Sequence, residues 1–105
     1  MSAIEDRKNA NEAKFVMDAA KEFKSEARRN KKLGLWAAEL MGLEDADKYV
    51  LSVIAADMEE AGDEDVFRKL RKDLDASNVE LSDEALREQM AIFLAQAREE
   101  IYGDD

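Results

Sequence analysis

The absence of proline is the feature that most restricts how this chain can fold. None of its 105 residues is Pro or Thr, and four are Gly. Proline breaks helices, while threonine, valine and isoleucine favour strands. Ala, Leu, Glu and Lys, which favour helices, are abundant instead. The composition therefore predicts an all-α protein, and the length suits one domain with a modest core.

Apolar residues at helical spacing predict four helices. The predicted bounds are Ile4 or Glu12 to Met41, Asp45 to Ala61, Asp63 to Ala76, and Ser82 onward. Gly42 and Gly62 are expected to follow the ends of the first two helices. Asp63 and Ser82 are expected to cap the starts of the last two. Because short connections make neighbouring helices antiparallel, we predict a four-helix bundle with a long first helix.

The last three helices each carry one apolar stripe that is predicted to face the core. The stripes are Tyr49, Val50, Val53, Ile54 and Met58, then Val66, Phe67, Leu70 and Leu74, then Leu86, Met90, Phe93, Ala97 and Ile101. Leu81 and Leu86 are placed to form a hydrophobic staple at the start of the fourth helix.

The first helix carries two apolar stripes, about a quarter-turn apart. They are Phe15, Val16, Ala19, Ala20, Phe23 and Ala27, and Leu33, Trp36, Ala37, Leu40 and Met41. Polar groups, at Glu22, Glu26, Arg29 and Asn30, lie where a single stripe would continue. The helix is therefore predicted either to bend here or to pack its two halves against different surfaces. Trp36 is predicted to be a core residue.

The net charge of −10 is unevenly divided along the chain. Residues 1–42 carry nine basic and seven acidic side chains, whereas residues 43–105 carry seven basic and 19 acidic ones. An acidic body of this kind argues against nucleic acid as a partner and favours a protein. No apolar run approaches the roughly 20 residues of a membrane span, and no secretory signal is evident. The expectation is a cytoplasmic protein that does not insert into a membrane.

Residues that carry common chemistry are missing. Without Cys or His, the chain lacks a disulfide framework, thiolate zinc ligands and the commonest general base. No phosphate-binding loop is present. A calcium loop starting at Asp57 fails, because Ala61 and Arg68 occupy two of the positions that bind the ion. We therefore predict no metal site and no enzymatic activity.

Two segments near the N-terminus allow both a structural and a functional interpretation. Residues 1–14 offer few apolar groups, and an isolated helix this short is marginal in water, so they are predicted to be frayed or only partly helical. They are either a disordered terminus or a segment that orders on a partner. Phe15 and Phe23 are either core residues or partner anchors. The basic residues Arg28, Arg29, Lys31 and Lys32 form either a solvated face or a docking patch.

Several stretches, taken in order, resemble the zeta subunit of α-proteobacterial F-type ATP synthases. They are AKF (Ala13 to Phe15), FKSEARRNKKLGLWAAELMG (Phe23 to Gly42), Tyr49, Asp57, and GDEDVFRKLRKDL (Gly62 to Leu74). The likeness covers nearly the whole chain, and the block ARRNKKLGLWAA is its most specific part. Members of that family are small helical bundles that inhibit ATP hydrolysis by the F1 sector.

The resemblance implies how this chain would act. An N-terminal segment, residues 1–18, would be mobile and would enter a catalytic α/β interface of F1 near the γ subunit, where it blocks rotation. Residues 19–105 would form the bundle. The implied partners are the α, β and γ subunits of F1, which would hold the protein peripherally at the inner membrane. Weak adenine nucleotide binding is the one cofactor interaction that the family implies.

Contact candidates within the segment are chosen by their chemistry. They are Ile4, Asp6, Arg7, Lys8, Lys14, Phe15 and Asp18. The charged members are expected to pair with polar groups in the interface, and the apolar members to be buried there. The alternative function is a small helical adaptor that binds a nucleotide or an acidic protein through the patch of Arg28, Arg29, Lys31 and Lys32.

Overall fold

Four α-helices make up the computed structural model, which describes the backbone of residues 3–58 and 63–103 and the side chains of residues 19–58 and 63–103. They are α1 (Ala3–Met41), α2 (Ala46–Asp57), α3 (Glu64–Ala76) and α4 (Asp83–Gly103). No strand occurs in the described ranges. The predicted all-α bundle of four helices is confirmed.

The end of α1 follows the prediction from the sequence. Gly42 has φ +69°, and its N–H donates to the Glu39 carbonyl at 3.1 Å, while the Leu43 N–H donates to the Ala38 carbonyl at 2.9 Å. These two bonds form a Schellman motif, whose left-handed residue is glycine because it has no Cβ to strain. Gly42 is thus the residue that stops the helix.

The N-terminal part of α1 differs from the prediction. The backbone is helical from Ala3 onward, where the sequence predicted a frayed or partly helical segment in residues 1–14. Extending an existing helix gains one hydrogen bond per residue and needs no new nucleus. A segment with few apolar residues to pack can therefore still continue a long helix. The helix also runs unbroken through residues 22–30, where the polar groups interrupt the apolar stripe.

The second helix is shorter than predicted. It ends at Asp57, and Met58 closes it with N–H bonds to the Ala55 and Ala56 carbonyls. Met58 was predicted to lie on the buried face, but it is 80% exposed. The apolar core does not extend to this end of α2, where Asp57 meets the polar residues Arg29 and Asn30 of α1. Gly62, expected to end this helix, lies outside the described residues.

The starts of α3 and α4 use their acidic and hydroxyl residues differently. Asp63 is the N-cap of α3, as predicted, but its carboxylate makes no capping hydrogen bond. Ser82 Oγ does cap α4, accepting from the Ala85 N–H at 3.0 Å. Between these helices Asn78 has φ +61° and supports a second Schellman turn, in which the Val79 N–H donates to the Leu74 carbonyl at 2.9 Å.

The core lies in the half of the bundle nearest the C-terminus of α1. Its buried members are Leu33, Ala37, Val53, Val66, Phe67, Leu70, Leu74, Leu86 and Met90, and its half-buried members include Trp36, Met41, Tyr49, Leu81 and Phe93. The rings of Trp36 and Phe93 meet edge to face at 6.2 Å between centroids. Val50 approaches α1 so closely that a Cβ on Gly34 would lie 2.7 Å from its Cγ2.

Helix α1 is the axis on which the other helices pack. Helix α2 runs antiparallel to it, because Gly34 lies against Val50 and Asn30 contacts Asp57. Helix α4 is also antiparallel, because Trp36 contacts Phe93 and Glu22 pairs with Arg98. The 39 residues of α1 span about 58 Å, close to the longest dimension of the molecule, 65 Å. No helix in the described part of the chain is long and apolar enough to cross a membrane.

Candidate functional site on the first helix

The N-terminal part of α1 extends beyond the helices that pack against it. In the described part, the contact with another helix nearest the N-terminus is made by Lys21, whose Nζ lies 5.3 Å from the centroid of the Tyr102 ring. Arg98 of the same helix forms an ion pair with Glu22. Helical backbone from Ala3 to Ala20 therefore projects about 27 Å past this end of the bundle.

The predicted contact residues lie on this projecting part. Their backbones all belong to α1: Ile4, Asp6, Arg7, Lys8, Lys14, Phe15 and Asp18. Their side chains lie outside the described residues, so their roles stay predictions.

Arg29 is the centre of a polar network inside the bundle. Its side chain is fully buried, and Nη1 donates to Asp63 Oδ1 at 2.7 Å while Nε donates to Asn30 Oδ1 at 3.0 Å. Nη2 lies 3.7 Å from Asp57 Oδ1 and has no hydrogen-bond partner in the described part of the chain. A buried guanidinium requires such anionic partners, because burying an isolated charge is costly. The network therefore ties α1 to the end of α2 and the start of α3.

Asn30 completes this network from the neighbouring position. It is buried, and its Nδ2 donates to Asp57 Oδ2 at 2.8 Å. Ser25, also buried on this side of α1, donates its hydroxyl to the Lys21 carbonyl at 2.8 Å. The inward face of α1 is thus polar on the N-terminal side of Leu33 and apolar from Leu33 toward the C-terminus.

The carboxyl pKa of Glu26 is affected by its burial and by the charged residues of this network. The pKa of its carboxyl is raised above the ordinary value, chiefly because burial disfavours the charged form. The negative charges of Asp57, Asp63 and Glu22 add to the rise, while Arg29 opposes it.

The predicted basic patch is divided by the fold. Arg29 points inward and is not available to a partner in this structure. Arg28 Nη1 and Lys32 Nζ reach Glu100 of α4 at 3.3 Å and 3.0 Å. The hydrogen bond from Lys32, supported by Arg28, holds the pKa of the Glu100 carboxyl below its ordinary value. Of the four basic residues, Lys31 is the exposed one without a partner in the described part.

The described residues of the first apolar stripe of α1, Ala19 to Ala27, are not part of the core. Phe23 is 72% exposed, and Ala19 and Ala20 are exposed beside it. Of the two interpretations of Phe23, the core one is therefore wrong. The structure also shows that the two halves of α1 do face different surroundings, since Leu33 and Ala37 of the second stripe are buried. Helix α2 has 12 residues, which span about 18 Å, and it ends before it could cover the first stripe.

Phe23 stands between two shallow depressions in the surface. The larger, about 420 Å³, is lined by Phe23, Lys24, Ala27, Arg28, Lys31, Ile54 and Ile101. The smaller, about 60 Å³, is lined by Phe23, Glu26, Ala27, Asn30, Ile54, Asp57 and Met58. Phe23, Ala27 and Ile54 belong to both, so the depressions form one continuous surface.

A metal site is not indicated by the described residues. No group of three or more acidic side chains there is arranged to hold a metal ion. A further cleft, between Leu43 and Ser52, is next to Tyr49. The Tyr49 hydroxyl donates to Asp73 Oδ2 at 2.8 Å, and Lys69 Nζ lies 5.2 Å from the ring centroid. These contacts join α2 to α3 and serve the fold.

Sequence reasoning missed the network around Arg29. The sequence did carry a signal for it: Arg29 and Asn30 occupy helical positions where the apolar stripe would continue toward Leu33. Polar residues at such positions are either exposed at a bend or buried with partners. Their partners Asp57 and Asp63 lie about 30 residues away in sequence, so only the folded structure shows that Arg29 and Asn30 are buried with partners.

Comparison with known families gives one match. The family model described as ATPase inhibitor subunit zeta matches residues 1–100. A search of curated proteins gave no match.

Proposed function

The chain belongs to the family of ATPase inhibitor subunit zeta, and we propose that it inhibits ATP hydrolysis by inserting residues 1–18 at a catalytic α/β interface of F1, near γ. The observation that carries this proposal is the projection of α1 from the bundle. Every buried side chain in the described part lies at Ser25 or beyond. The projecting part is therefore free to occupy a cleft without unfolding the core.

The shape explains how such a protein would stop rotation. Catalytic interfaces of F1 open and close as γ turns, and a helix held in one of them would oppose its closure. A helix about 10 Å wide fits a cleft between subunits, whereas the bundle does not. The bundle would stay outside, and it would limit how far α1 can enter.

The chemistry of the segment suits an interface between subunits. Ile4 and Phe15 would supply apolar area, while Asp6, Arg7 and Lys8 would pair with polar groups of the cleft. A segment that is helical before it binds loses less conformational entropy than a disordered one. The continuous helix of α1 from Ala3 supports binding in this form.

The adaptor function is not favoured by an observation in the structure. It requires the basic patch to be available, but Arg29 is buried and Arg28 and Lys32 are held by Glu100. The polar contacts of these residues are used within the bundle.

Titration of F1-ATPase from an α-proteobacterium with this protein tests the proposal. The full-length chain is expected to reduce ATP hydrolysis to a saturating minimum, and a chain lacking residues 1–14 is expected to leave hydrolysis unchanged. The truncated chain retains all buried residues of the described part, so its circular dichroism and thermal midpoint should show a folded bundle.

A matched pair of full-length variants controls for truncation itself. Ile4→Ser with Phe15→Ser is expected to raise the concentration for half-maximal inhibition at least tenfold, since buried anchors carry most of the energy of an interface. Ile92→Ser removes an apolar side chain of α4 that is 41% exposed and should have little effect. Full inhibition by the chain lacking residues 1–14 contradicts the proposal.

A further inference from the structure

The residues that form the continuous surface around Phe23 do not belong to the apolar core of the described part of the chain. We call the two depressions together the Phe23 surface; it is formed by Phe23, Lys24, Ala27, Lys31, Ile54, Met58 and Ile101, and Glu26 and Asp57 border its smaller depression. Phe23 and Met58 are 72% and 80% exposed, which is unusual for large apolar side chains that lie side by side. Residues of α1, α2 and α4 contribute to it. Such a surface is typical of a protein-docking site.

The larger depression of the Phe23 surface differs in charge from the rest of the molecule, because its lining includes Lys24, Arg28 and Lys31 and no carboxylate. Lys24 and Lys31 are exposed at its rim and have no ion-pair partner in the described part of the chain. The other basic residue of the larger depression, Arg28, is paired with Glu100. In a chain with a net charge of −10, two such lysines beside an exposed Phe form a local positive site. Its complement is an apolar surface with carboxylates at its edge.

The position of the surface indicates which molecule it meets. Phe23 follows the end of the inserted segment, Asp18, by five residues, or about 7.5 Å along the same helix. If residues 1–18 lie in the cleft of F1, Phe23 must lie at its mouth. The apolar positions Val16, Ala20 and Phe23 also follow one line along α1, so the segment and the Phe23 surface present a continuous face.

We propose that the Phe23 surface is a second docking contact for F1, which binds an apolar, carboxylate-rimmed surface at the mouth of the cleft. This inference rests on the proposed function and extends it from the inserted segment to the bundle. A second copy of this chain is a poorer occupant. Each copy carries a net charge of −10, so charge repulsion opposes the association of two copies.

Equilibrium binding of full-length variants to immobilised F1-ATPase, measured together with hydrolysis at saturating protein, tests this docking contact. Phe23→Ser is expected to raise the Kd about tenfold or more, as truncation of an anchor residue does. Lys24→Glu with Lys31→Glu is expected to raise the Kd severalfold, slow association and reduce its dependence on salt. At saturation each variant should still inhibit as fully as the wild type, because residues 1–18 are intact.

Matched controls come from surfaces elsewhere on the bundle. Ile92→Ser changes an exposed apolar side chain on the side of α4 opposite Ile101, and Lys72→Glu reverses an exposed charge on α3. Both are expected to leave the Kd within twofold of the wild type. All substituted residues are exposed, so thermal midpoints should match and loss of folding is separated from loss of binding.

The outcomes separate this inference from the proposed function. Kd values for Phe23→Ser and for Lys24→Glu with Lys31→Glu within twofold of the wild type would overturn the docking contact, whatever happens to inhibition. A wild-type protein that binds but does not inhibit would contradict the proposed function and leave the Kd comparison intact. A free protein that sediments as a dimer, and as a monomer after Phe23→Ser, would assign the surface to self-association and overturn the inference.

Discussion

Replacement of Arg29 by methionine tests how the bundle holds α1. The substitution removes the charge and keeps an unbranched side chain, so it mainly reports the loss of the ion pairs rather than a cavity. Arg29 is fully buried and bonds Asp63 at 2.7 Å, with Asp57 at 3.7 Å. Without Arg29, these carboxylates would face each other near the bundle interior with no positive charge between them.

The expected cost follows from burial. Removing one partner of a buried ion pair costs about 3–5 kcal/mol. The side chains of Asp57 and Asp63 are 21% and 48% exposed, so water can hydrate them in part, and the lower end applies. We therefore expect Arg29→Met to lower the free energy of unfolding by about 3 kcal/mol. For a domain of this size the thermal midpoint should fall by about 12 °C.

Urea unfolding followed by helical circular dichroism measures this loss. Arg28→Met is the matched control, because Arg28 and its partner Glu100 are 42% and 41% exposed. Exposed pairs contribute less than about 1 kcal/mol, so this variant should unfold close to the wild type. Adding Asp63→Asn to Arg29→Met should recover about 1 kcal/mol, since it removes one unpaired carboxylate. Equal losses for Arg29→Met and Arg28→Met would show that the burial of Arg29 does not set the contribution of its ion pairs.

Two other predictions concern α2 and its contacts. Gly34→Ala should lower the free energy of unfolding by about 2 kcal/mol, because the new Cβ would lie 2.8 Å from the Val50 Cα. Gly103→Ala is the control and should leave the free energy of unfolding unchanged, since a Cβ there meets nothing within 4 Å. Urea unfolding compares the two variants. Tyr49 should stay protonated well above the ordinary tyrosine pKa, because burial and its bond to Asp73 raise that pKa. Stability should therefore fall as pH rises above about 10, where the unfolded chain releases this proton, and Tyr49→Phe should remove the late part of the tyrosinate absorbance titration.

Local signals in the sequence were sufficient for the helices and their ends. Gly42 stops α1, and Ser82 starts α4, because a left-handed residue and a side-chain cap each act within a few residues. The stripe from Leu86 to Ala97 faces the core for the same reason, since its period is a property of one helix.

Features that depend on the relative lengths and positions of helices were not predictable in the same way. Phe23 has the spacing of a core residue, but α2 is too short to cover it, and only the assembled bundle decides its exposure. Arg29 belongs to a basic run that is typical of a surface, yet Asp63 and Asp57 draw it inside. The contact candidates from Ile4 to Asp18 depend on a partner, so neither the sequence nor the isolated fold tests them.

The most direct test of insertion into F1 is to locate the projecting helix in the inhibited enzyme. A photoreactive amino acid in place of Lys8 would mark the segment. The same residue in place of Glu80, which is exposed between α3 and α4 at the opposite end of the bundle, is the control. After irradiation of the complex with F1 during ATP hydrolysis, insertion of the segment predicts cross-links from position 8 to a catalytic subunit or γ, and none from position 80. Cross-links from position 80 with none from position 8 would contradict it.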